Sequence, residues 1–204
     1  MAIDELGGGT EAGAADPQAA APETTGVPEP TAAAAPEAAA TKARAHWLVF
    51  IGLALTVLVL DQLTKAWLTS TLSPGEVMSV IGDYVRLVFS QNSGALFGLF
   101  RDNAVLFGIV SIFVIGLIVV YQRQVGSSLY LSIALGLLLG GALGNVTDRL
   151  RLGYVVDFVD IGIGDLRWYT FNVADAAISI SILLLIGAAL IPSLAGIGER
   201  SSDG

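Results

Sequence analysis

The sequence contains no cysteine and a single histidine, His46. The lack of cysteine excludes disulfide bonds, zinc–thiolate sites and a thiol nucleophile. One histidine, placed just before the first apolar run, argues against a serine–histidine hydrolase and against a multi-histidine metal site. The acid–base chemistry left to the chain is therefore carried mostly by carboxylates, and we expect neither a metal nor another cofactor.

Charged residues are also scarce, because they make up 14% of the 204 residues while hydrophobic residues make up 54%. A soluble domain of this size could not bury so many apolar side chains, so we predict an integral membrane protein. The net charge is −8, and much of it comes from acids within residues 1–45. An acidic tail on a nearly balanced body does not indicate a nucleic-acid partner.

Four apolar runs each approach the roughly 20 residues that cross a bilayer as a helix. We therefore predict an α-helical integral membrane protein with four transmembrane helices, at residues 47–69, 104–121, 129–147 and 171–194. Residues 1–45 are rich in Ala and Pro and are predicted to be a disordered acidic tail. The remaining segments are predicted as a membrane domain at 46–194, with outer loops at 70–103 and 148–170, and a C-terminal tail at 195–204.

Orientation is predicted from the basic residues beside the spans. A plain count of Lys and Arg gives four on the side of the termini and six on the other, which by itself favours external termini. Lys42 and Arg44 directly precede the first span, however, and the first span usually dominates. We therefore expect both termini to be cytoplasmic.

The first outer loop contains the segment YVRLVF at residues 84–89, in which Val85, Leu87 and Phe89 alternate with their neighbours. This period of two predicts a short strand. We expect a small sheet on the outer surface of the membrane.

The first and third spans carry features that predict contacts near the outer end of the bundle. Asp61 and Lys65 are four residues apart on one helix face, so they can form an ion pair that is either structural or functional. In the third span, glycines at small-xxx-small spacing predict close approach of another helix. These glycines are Gly136, Gly140, Gly141 and Gly144.

Asn145, Asp148 and Arg149 follow at the end of the third span, with spacing that lets all three point one way. Asn145 and Arg149 could hydrogen-bond a substrate backbone or a lipid headgroup. Alternatively, the three residues could cap the helix and order the loop after it. The sequence alone leaves both interpretations open.

Two further acids have surroundings that favour proton transfer. Asp157 is enclosed in the sequence by Val156 and Phe158, so poor solvation should raise its pKa. Asp175 lies one turn inside the fourth span, three residues after Asn172, and needs a partner there. Two carboxylates that share one proton are the machinery of an aspartic protease.

An alternative function is that of a small proton-coupled transporter, in which Asp61, Asp157 and Asp175 would relay protons. Relay acids should be spread across the bilayer, whereas these acids are predicted to cluster at one face. The segment Gly162–Asp165 spells the GxGD pattern of presenilin-type proteases, but it falls in a polar loop. We interpret it as a turn.

Five motifs in order make the chain resemble the bacterial lipoprotein signal peptidase family, also called signal peptidase II. They are DQLTK (61–65), QNSGALFG (91–98), GGALGNVTDR (140–149), VVDFVD (155–160) and FNVADAAI (171–178). The resemblance covers the chain from about Trp47 to about Leu190. Ser181 departs from it, because many members of the family have glycine there.

The resemblance implies that Asp157 and Asp175 are the catalytic dyad of an aspartyl endopeptidase. It implies that further residues contact the substrate or support the site, namely Asn145, Arg149, Asn172, Asp61, Lys65, Asn92 and Asp148. The implied substrates are diacylglyceryl-modified prolipoproteins, cut on the amino side of the modified cysteine. The implied location is the inner membrane with its lipids, and the site is implied to lie at the outer leaflet. QNSGALFG would lead into a mobile lip over the site, and the surface sheet would form a cradle for the substrate. The implied inhibitor is the antibiotic globomycin.

Overall fold

The structure, a computed structural model, describes residues 34–94 and 104–196. Its helices are α1 (Ala34–Thr71), α2 (Ala104–Val125), α3 (Leu129–Leu152) and α4 (Val173–Leu190), followed by a 3-10 turn at Pro192–Ala195. Its strands are β1 (Val77–Ile81), β2 (Val85–Asn92), β3 (Val155–Ile163) and β4 (Leu166–Arg167). Membrane-spanning helices and a small sheet are thus both present, as predicted.

Within the described part of the chain, 3 helices are long and apolar enough to cross a membrane: Ala40–Thr71 of α1, α3 and α4. In α2 the described apolar stretch, Ile109–Val125, is shorter. The prediction of membrane helices is confirmed, whereas the prediction of four crossings stays a prediction. Large apolar side chains along these helices are exposed, as expected of surfaces that face lipid.

Three helices extend beyond the predicted spans. α1 begins at Ala34 rather than near Trp47, because the Ala-rich stretch before the span consists of strong helix formers. α2 continues to Val125, and α3 continues to Leu152, where Gly153 ends it with a left-handed conformation (φ 79°). Asn145, Asp148 and Arg149 therefore lie within a helix and not at its cap.

α3 is the central helix, since it packs against α1, α2 and α4. Its glycines permit this contact: a Cβ at Gly140 would lie 2.7 Å from the carbonyl oxygen of Ala54 on α1. On the side of α4, the Ser181 hydroxyl donates to the carbonyl oxygen of Ala134 at 2.8 Å. The glycine spacing thus predicted a real close approach, and Ser181 is accommodated as a buried interhelical hydrogen bond.

The strands form one antiparallel sheet in the order β1-β2-β3-β4. β2 was predicted from residues 84–89, whereas β1 and β3 were not. β2 runs on to Asn92 and pairs with β3, so that Asn92 lies opposite Val155 and Ser90 opposite Asp157. This register brings Asn92 close to Asp157.

The segment Gly162–Asp165 is only partly the turn that the sequence predicted. Gly162 and Ile163 belong to β3, and the turn consists of Gly164 and Asp165. Gly164 has a φ of +54°, which favours glycine. Gly162 is required for a different reason, because a Cβ there would overlap the carbonyl oxygen of Leu166 on β4.

Asp160 fastens β3 to its neighbours. It accepts hydrogen bonds from Arg86 of β2 (Nη2 at 2.7 Å) and from Arg167 of β4 (Nε at 3.0 Å). Burial disfavours the ionised carboxylate, but the hydrogen bonds and charges of these two arginines outweigh burial and hold the pKa of Asp160 below its usual value. Asp160 therefore links β3 to both neighbouring strands.

Candidate active site

Asp157 lies near the start of β3 and is 2% exposed. Its strand neighbours Val156 and Phe158 point to the opposite face and pack with Leu68 and Phe89 in an apolar cluster under the sheet. The Asp157 carboxylate instead accepts hydrogen bonds from the side-chain amides of Asn92 (3.0 Å) and Asn172 (2.7 Å). Both of its oxygens are therefore held by neutral donors.

Asp175 lies in the first turn of α4, where Asn172 caps the helix. Asn172 Oδ1 accepts from the backbone N–H of Asp175 at 2.8 Å, and the Asp175 carboxylate accepts from the backbone N–H of Asn172 at 3.2 Å. This is a capping box, which fixes the Asp175 side chain at the start of the helix. Asn172 thus contacts both acids.

Asn145, on α3, also contacts Asp175 and Asn172. Its amide donates to Asp175 Oδ1 at 2.8 Å, and its Oδ1 accepts from the Asn172 amide at 3.2 Å. The two carboxylates are thereby joined through a continuous set of asparagine amides that come from β2, α3 and the start of α4. Asp175 is partly exposed, whereas Asn145 and Asn172 are buried.

The electrostatics of Asp157 agree with the sequence prediction. Burial, and secondly the nearby charge of Asp175, raise the pKa of Asp157 from 3.8 to about 7, against the hydrogen bonds of Asn92 and Asn172. A carboxyl group with that pKa can both hold and release a proton near neutral pH.

Lys65 lies at the centre of a buried charged cluster behind the two acids. Its Nζ lies 2.7 Å from Asp61 Oδ2 and 2.8 Å from Asp148 Oδ2. The predicted pairing of Asp61 with Lys65 is confirmed, whereas the contact with Asp148 was not foreseen. Gln62, which the sequence analysis did not single out, donates to Asp148 Oδ1 at 2.9 Å and to Asp61 Oδ2 at 3.2 Å.

Arg149 is half-buried at the end of α3, and its Nη1 donates to the carbonyl oxygen of Asn145 at 3.3 Å. Its charge interacts with the carboxylates of Asp175, Asp157 and Asp148. Of the three α3 residues whose role the sequence left open, Asn145 and Arg149 therefore interact with the two acids, whereas Asp148 contacts Lys65. Of the motif QNSGALFG, residues 95–98, which were expected to lead into a lip, lie outside the described residues.

A cavity of about 400 Å³ opens beside the sheet and is lined by Ser90, Arg167, Trp168, Tyr169 and Thr170. Ser90 is paired with Asp157 in the β2–β3 register, so one lining residue of the cavity neighbours Asp157, whereas neither aspartate lines the cavity itself. In residues 34–94 and 104–196, no three His, Asp or Glu side chains come together in a way that could hold a metal ion. The arrangement offers two coupled carboxyl groups, which suit proton transfer to and from a bound water.

Comparison with known proteins gives consistent results. A family model described as Signal peptidase (SPase) II matches residues 53–191. The lipoprotein signal peptidase of Moorella thermoacetica is 40% identical over 155 residues, which cover 76% of this chain and 98% of that protein. The lipoprotein signal peptidase of Leifsonia xyli is 39% identical over 165 residues, which cover 78% of this chain and 73% of that protein.

Solved structures agree with the sequence relatives. A bacterial membrane enzyme solved by the in meso method at 2.3 Å resolution superposes with a TM-score of 0.65 and is 32% identical, covering 71% of this chain and 88% of that one. A second structure of that description, at 1.9 Å resolution, gives a TM-score of 0.63 and 33% identity, covering 70% and 92%.

Proposed function

The chain belongs to the signal peptidase II family, and from this premise we propose that Asp157 and Asp175 are the catalytic dyad with which it removes signal peptides from prolipoproteins. The chain is accordingly an aspartic protease of a bacterial membrane. The observation that carries the dyad assignment is the shared asparagine network: Asn172 donates to Asp157 at 2.7 Å, and Asn145 donates to Asp175 at 2.8 Å.

In the proposed reaction the dyad holds one proton. The ionised carboxylate takes a proton from a water molecule as the water oxygen attacks the scissile carbonyl carbon. The protonated carboxyl group donates its proton to the carbonyl oxygen, which gives a tetrahedral diol. As the diol collapses, one of its hydroxyl groups returns its proton to the ionised carboxylate and becomes the carbonyl of the product. The carbon–nitrogen bond breaks, and the protonated carboxyl group delivers its proton to the leaving amine.

The neighbouring residues have supporting roles in this proposal. Asn92, Asn145 and Asn172 keep the two carboxylates in place, because each donates a side-chain amide to one of them. Arg149 is half-buried beside both carboxylates and can hydrogen-bond a substrate carbonyl or a headgroup oxygen. Asp61, Lys65 and Asp148 form the buried cluster that supports the dyad from behind.

The proposed substrates are prolipoproteins whose cysteine already carries a diacylglyceryl group, and the scissile bond lies on the amino side of that cysteine. The diacylglyceryl chains would remain among the membrane lipids while the peptide enters the cavity beside Ser90 and Tyr169. Cavities of a few hundred Å³ are large enough for a few residues of peptide.

We further propose four transmembrane crossings, with α2 as the fourth, cytoplasmic termini and the site at the outer leaflet. Lys42 and Arg44, on the end of α1 that is far from the site, support this orientation. The proposal includes inhibition by globomycin.

The transporter alternative has no support. Asp61, Asp157 and Asp175 lie together at the end of the bundle that carries the sheet, and Asp61 is paired with Lys65. A relay across the bilayer would need acids at several depths.

The substrate proposal is tested with purified protein and one precursor prepared in two forms, with and without the diacylglyceryl group. Cleavage of the modified form, and its loss on addition of globomycin, are the expected results. Equal cleavage of both forms would overturn the proposal that the lipid is part of the substrate.

A further inference from the structure

We propose that Lys65 is a positioning residue that sets the separation of Asp157 and Asp175, acting through Asp148 on one side and Asp61 on the other. The proposal rests on the proposed function of the two aspartates. It concerns a buried charge that takes no part in the reaction scheme above.

The contacts of Lys65 use all three of its N–H donors. Its Nζ lies 2.7 Å from Asp61 Oδ2, 2.8 Å from Asp148 Oδ2 and 3.3 Å from Asn145 Oδ1. Lys65 is 3% exposed, so it has no free donor to offer to a substrate. Its position is determined by α1, and its partners lie on α1 and α3.

The carboxylates of Asp61 and Asp148 each accept a backbone hydrogen bond from the residue that precedes one proposed catalytic aspartate. Asp61 Oδ1 accepts from the backbone N–H of Ala174 at 3.0 Å, and Ala174 precedes Asp175. Asp148 Oδ2 accepts from the backbone N–H of Val156 at 3.1 Å, and Val156 precedes Asp157. One ammonium group therefore connects the two peptide segments that carry the dyad.

Lys65 also contributes to the orientation of the Asn145 amide. An ammonium group can only donate, so the Asn145 atom beside it has to be the oxygen. The Asn145 NH₂ group is thereby directed to Asp175 Oδ1, at 2.8 Å. The Asn172 amide donates to the same Asn145 Oδ1 at 3.2 Å, so loss of Lys65 would leave that oxygen with one donor instead of two.

These contacts go beyond what stabilisation of the fold requires. A buried ion pair is weak evidence for stability, because apolar replacements of whole buried pairs are often neutral. The Val156 and Ala174 N–H groups, by contrast, have fixed places beside the dyad. A change of about 1 Å there is expected to cost about 100-fold in rate.

The test compares three full-length variants in detergent or in bilayers, with diacylglyceryl-modified prolipoprotein as substrate. Lys65→Met removes the charge and the donors but keeps most of the side-chain volume. Lys65→Arg keeps the charge. Gln62→Ala is the matched control, because Gln62 donates to the same Asp61 and Asp148 carboxylates but carries no charge.

For Lys65→Met we expect kcat to fall about 100-fold while KM changes less than about threefold, since Lys65 does not contact substrate. Lys65→Arg should recover part of kcat, and Gln62→Ala should stay within about threefold of the parent protein. A folded Lys65→Met variant with at least a third of the parent kcat overturns the proposal. An equal loss of kcat in Gln62→Ala also overturns it, since any damage to the cluster would then suffice.

The pH profile of kcat separates the two possible roles of Lys65. If Lys65 only stabilised the fold, its removal would leave this profile unchanged. The charged groups around Asp157 are Lys65 of α1, Asp148 and Arg149 of α3 and Asp175 of α4. The Lys65 charge favours the ionised form of Asp157, so its removal should move the alkaline limb of kcat to higher pH. An unchanged limb in a folded Lys65→Met variant contradicts the proposal.

If Lys65→Met does not fold, Asp148→Asn decides the matter. It keeps an oxygen for the Val156 N–H but weakens the contact with Lys65, so we expect a loss of kcat of more than about tenfold. Full kcat in Asp148→Asn overturns the proposal. Asp157→Asn and Asp175→Asn are assayed beside these variants: activity in them would defeat the proposed dyad itself, whereas inactivity there combined with an active Lys65→Met defeats only the role of Lys65.

Discussion

Asn172 donates its side-chain amide to the carboxylate of Asp157 at 2.7 Å, and its side-chain oxygen caps the helix on which Asp175 lies. One residue thus supports the fold and the site at once. The two roles use different atoms, because the oxygen accepts from the Asp175 N–H whereas the nitrogen donates to Asp157. Substitutions can therefore separate them.

Asn172→Ser should keep the helix cap but lose the amide that holds Asp157. Asn172→Ala should lose both. We expect both variants to lose about 100-fold in kcat. Only Asn172→Ala should lose the capping energy of about 1 kcal/mol, which lowers the melting temperature by about 2–4 °C.

Steady-state kinetics and thermal melting in one detergent measure both effects. An Asn172→Ser variant with full activity would show that the amide does not hold the dyad. An Asn172→Ala variant that melts with the parent protein would show that the cap contributes nothing.

The pH dependence of cleavage follows from the raised pKa of Asp157, which is about 7. Asp157 keeps its proton below that pH and loses it above. Because the dyad needs one proton, we expect kcat/KM to fall as pH rises through about 7. The melting temperature at each pH is the control for unfolding, and activity that stays constant up to pH 9 would contradict the scheme.

Asn92→Ala should shift that profile. The Asn92 amide donates to Asp157 Oδ2 at 3.0 Å and favours its ionised form, so its loss should raise the pKa of Asp157 further. We therefore expect the alkaline limb of kcat/KM to move to higher pH, with a lower maximum. A shift to lower pH would mean that Asp157 is not the group that titrates.

Gly144→Ala tests the close packing behind the site. A Cβ at Gly144 would lie 2.6 Å from Asp61 Oδ2, and Asp61 is fully buried with its other oxygen bonded to Ala174. We expect a destabilisation of about 1–3 kcal/mol together with a loss of activity. Gly52→Ala is the matched control, because a Cβ at Gly52 meets nothing within 4 Å.

In the control, replacing a helical glycine by alanine should leave activity unchanged and stabilise the protein by about 0.5–1 kcal/mol. Melting temperature and kcat/KM are measured for both variants. Equal changes of melting temperature and kcat/KM in the two variants would mean that the site tolerates a methyl group beside Asp61.

Removal of residues 1–33 should leave kcat/KM within about twofold of the full chain, since loss of a chain end matters only through the contacts it makes. The family match begins at residue 53, and every hydrogen bond described around the two acids involves Asp61 or a later residue. Cleavage by the truncated protein is compared with that of the full chain at equal amounts of folded protein. A large loss would assign the tail a role in the reaction.

Local spacing predicted part of the site. Asp61 and Lys65 were paired because residues four apart share a helix face, and Asp175 was placed in a first turn by its distance from the start of the span. The contact between Lys65 and Asp148 could not be predicted in this way. It joins α1 to α3, and only the packing of the two helices brings the side chains together.

The strand β3 was not predicted from the sequence, for a related reason. Asp157 and Asp160 are three residues apart, so they point to opposite faces of the strand. Each face holds one buried acid among apolar residues, and the alternation of polar and apolar residues that marks a strand is lost. Asp157 faces the asparagines of the site, whereas Asp160 faces Arg86 and Arg167.

The most direct test of the dyad is cleavage of a diacylglyceryl-modified prolipoprotein by Asp157→Asn and Asp175→Asn variants beside the parent protein. Both substitutions preserve the size of the side chain and leave one of its two accepting oxygens, so each breaks one hydrogen bond of the network. We expect both variants to remain folded in detergent. We predict that each loses more than about 1,000-fold in kcat, because neither remaining carboxyl group can act alone as acid and base. Cleavage at the parent rate by either folded variant would contradict the assignment of Asp157 and Asp175 as the catalytic pair.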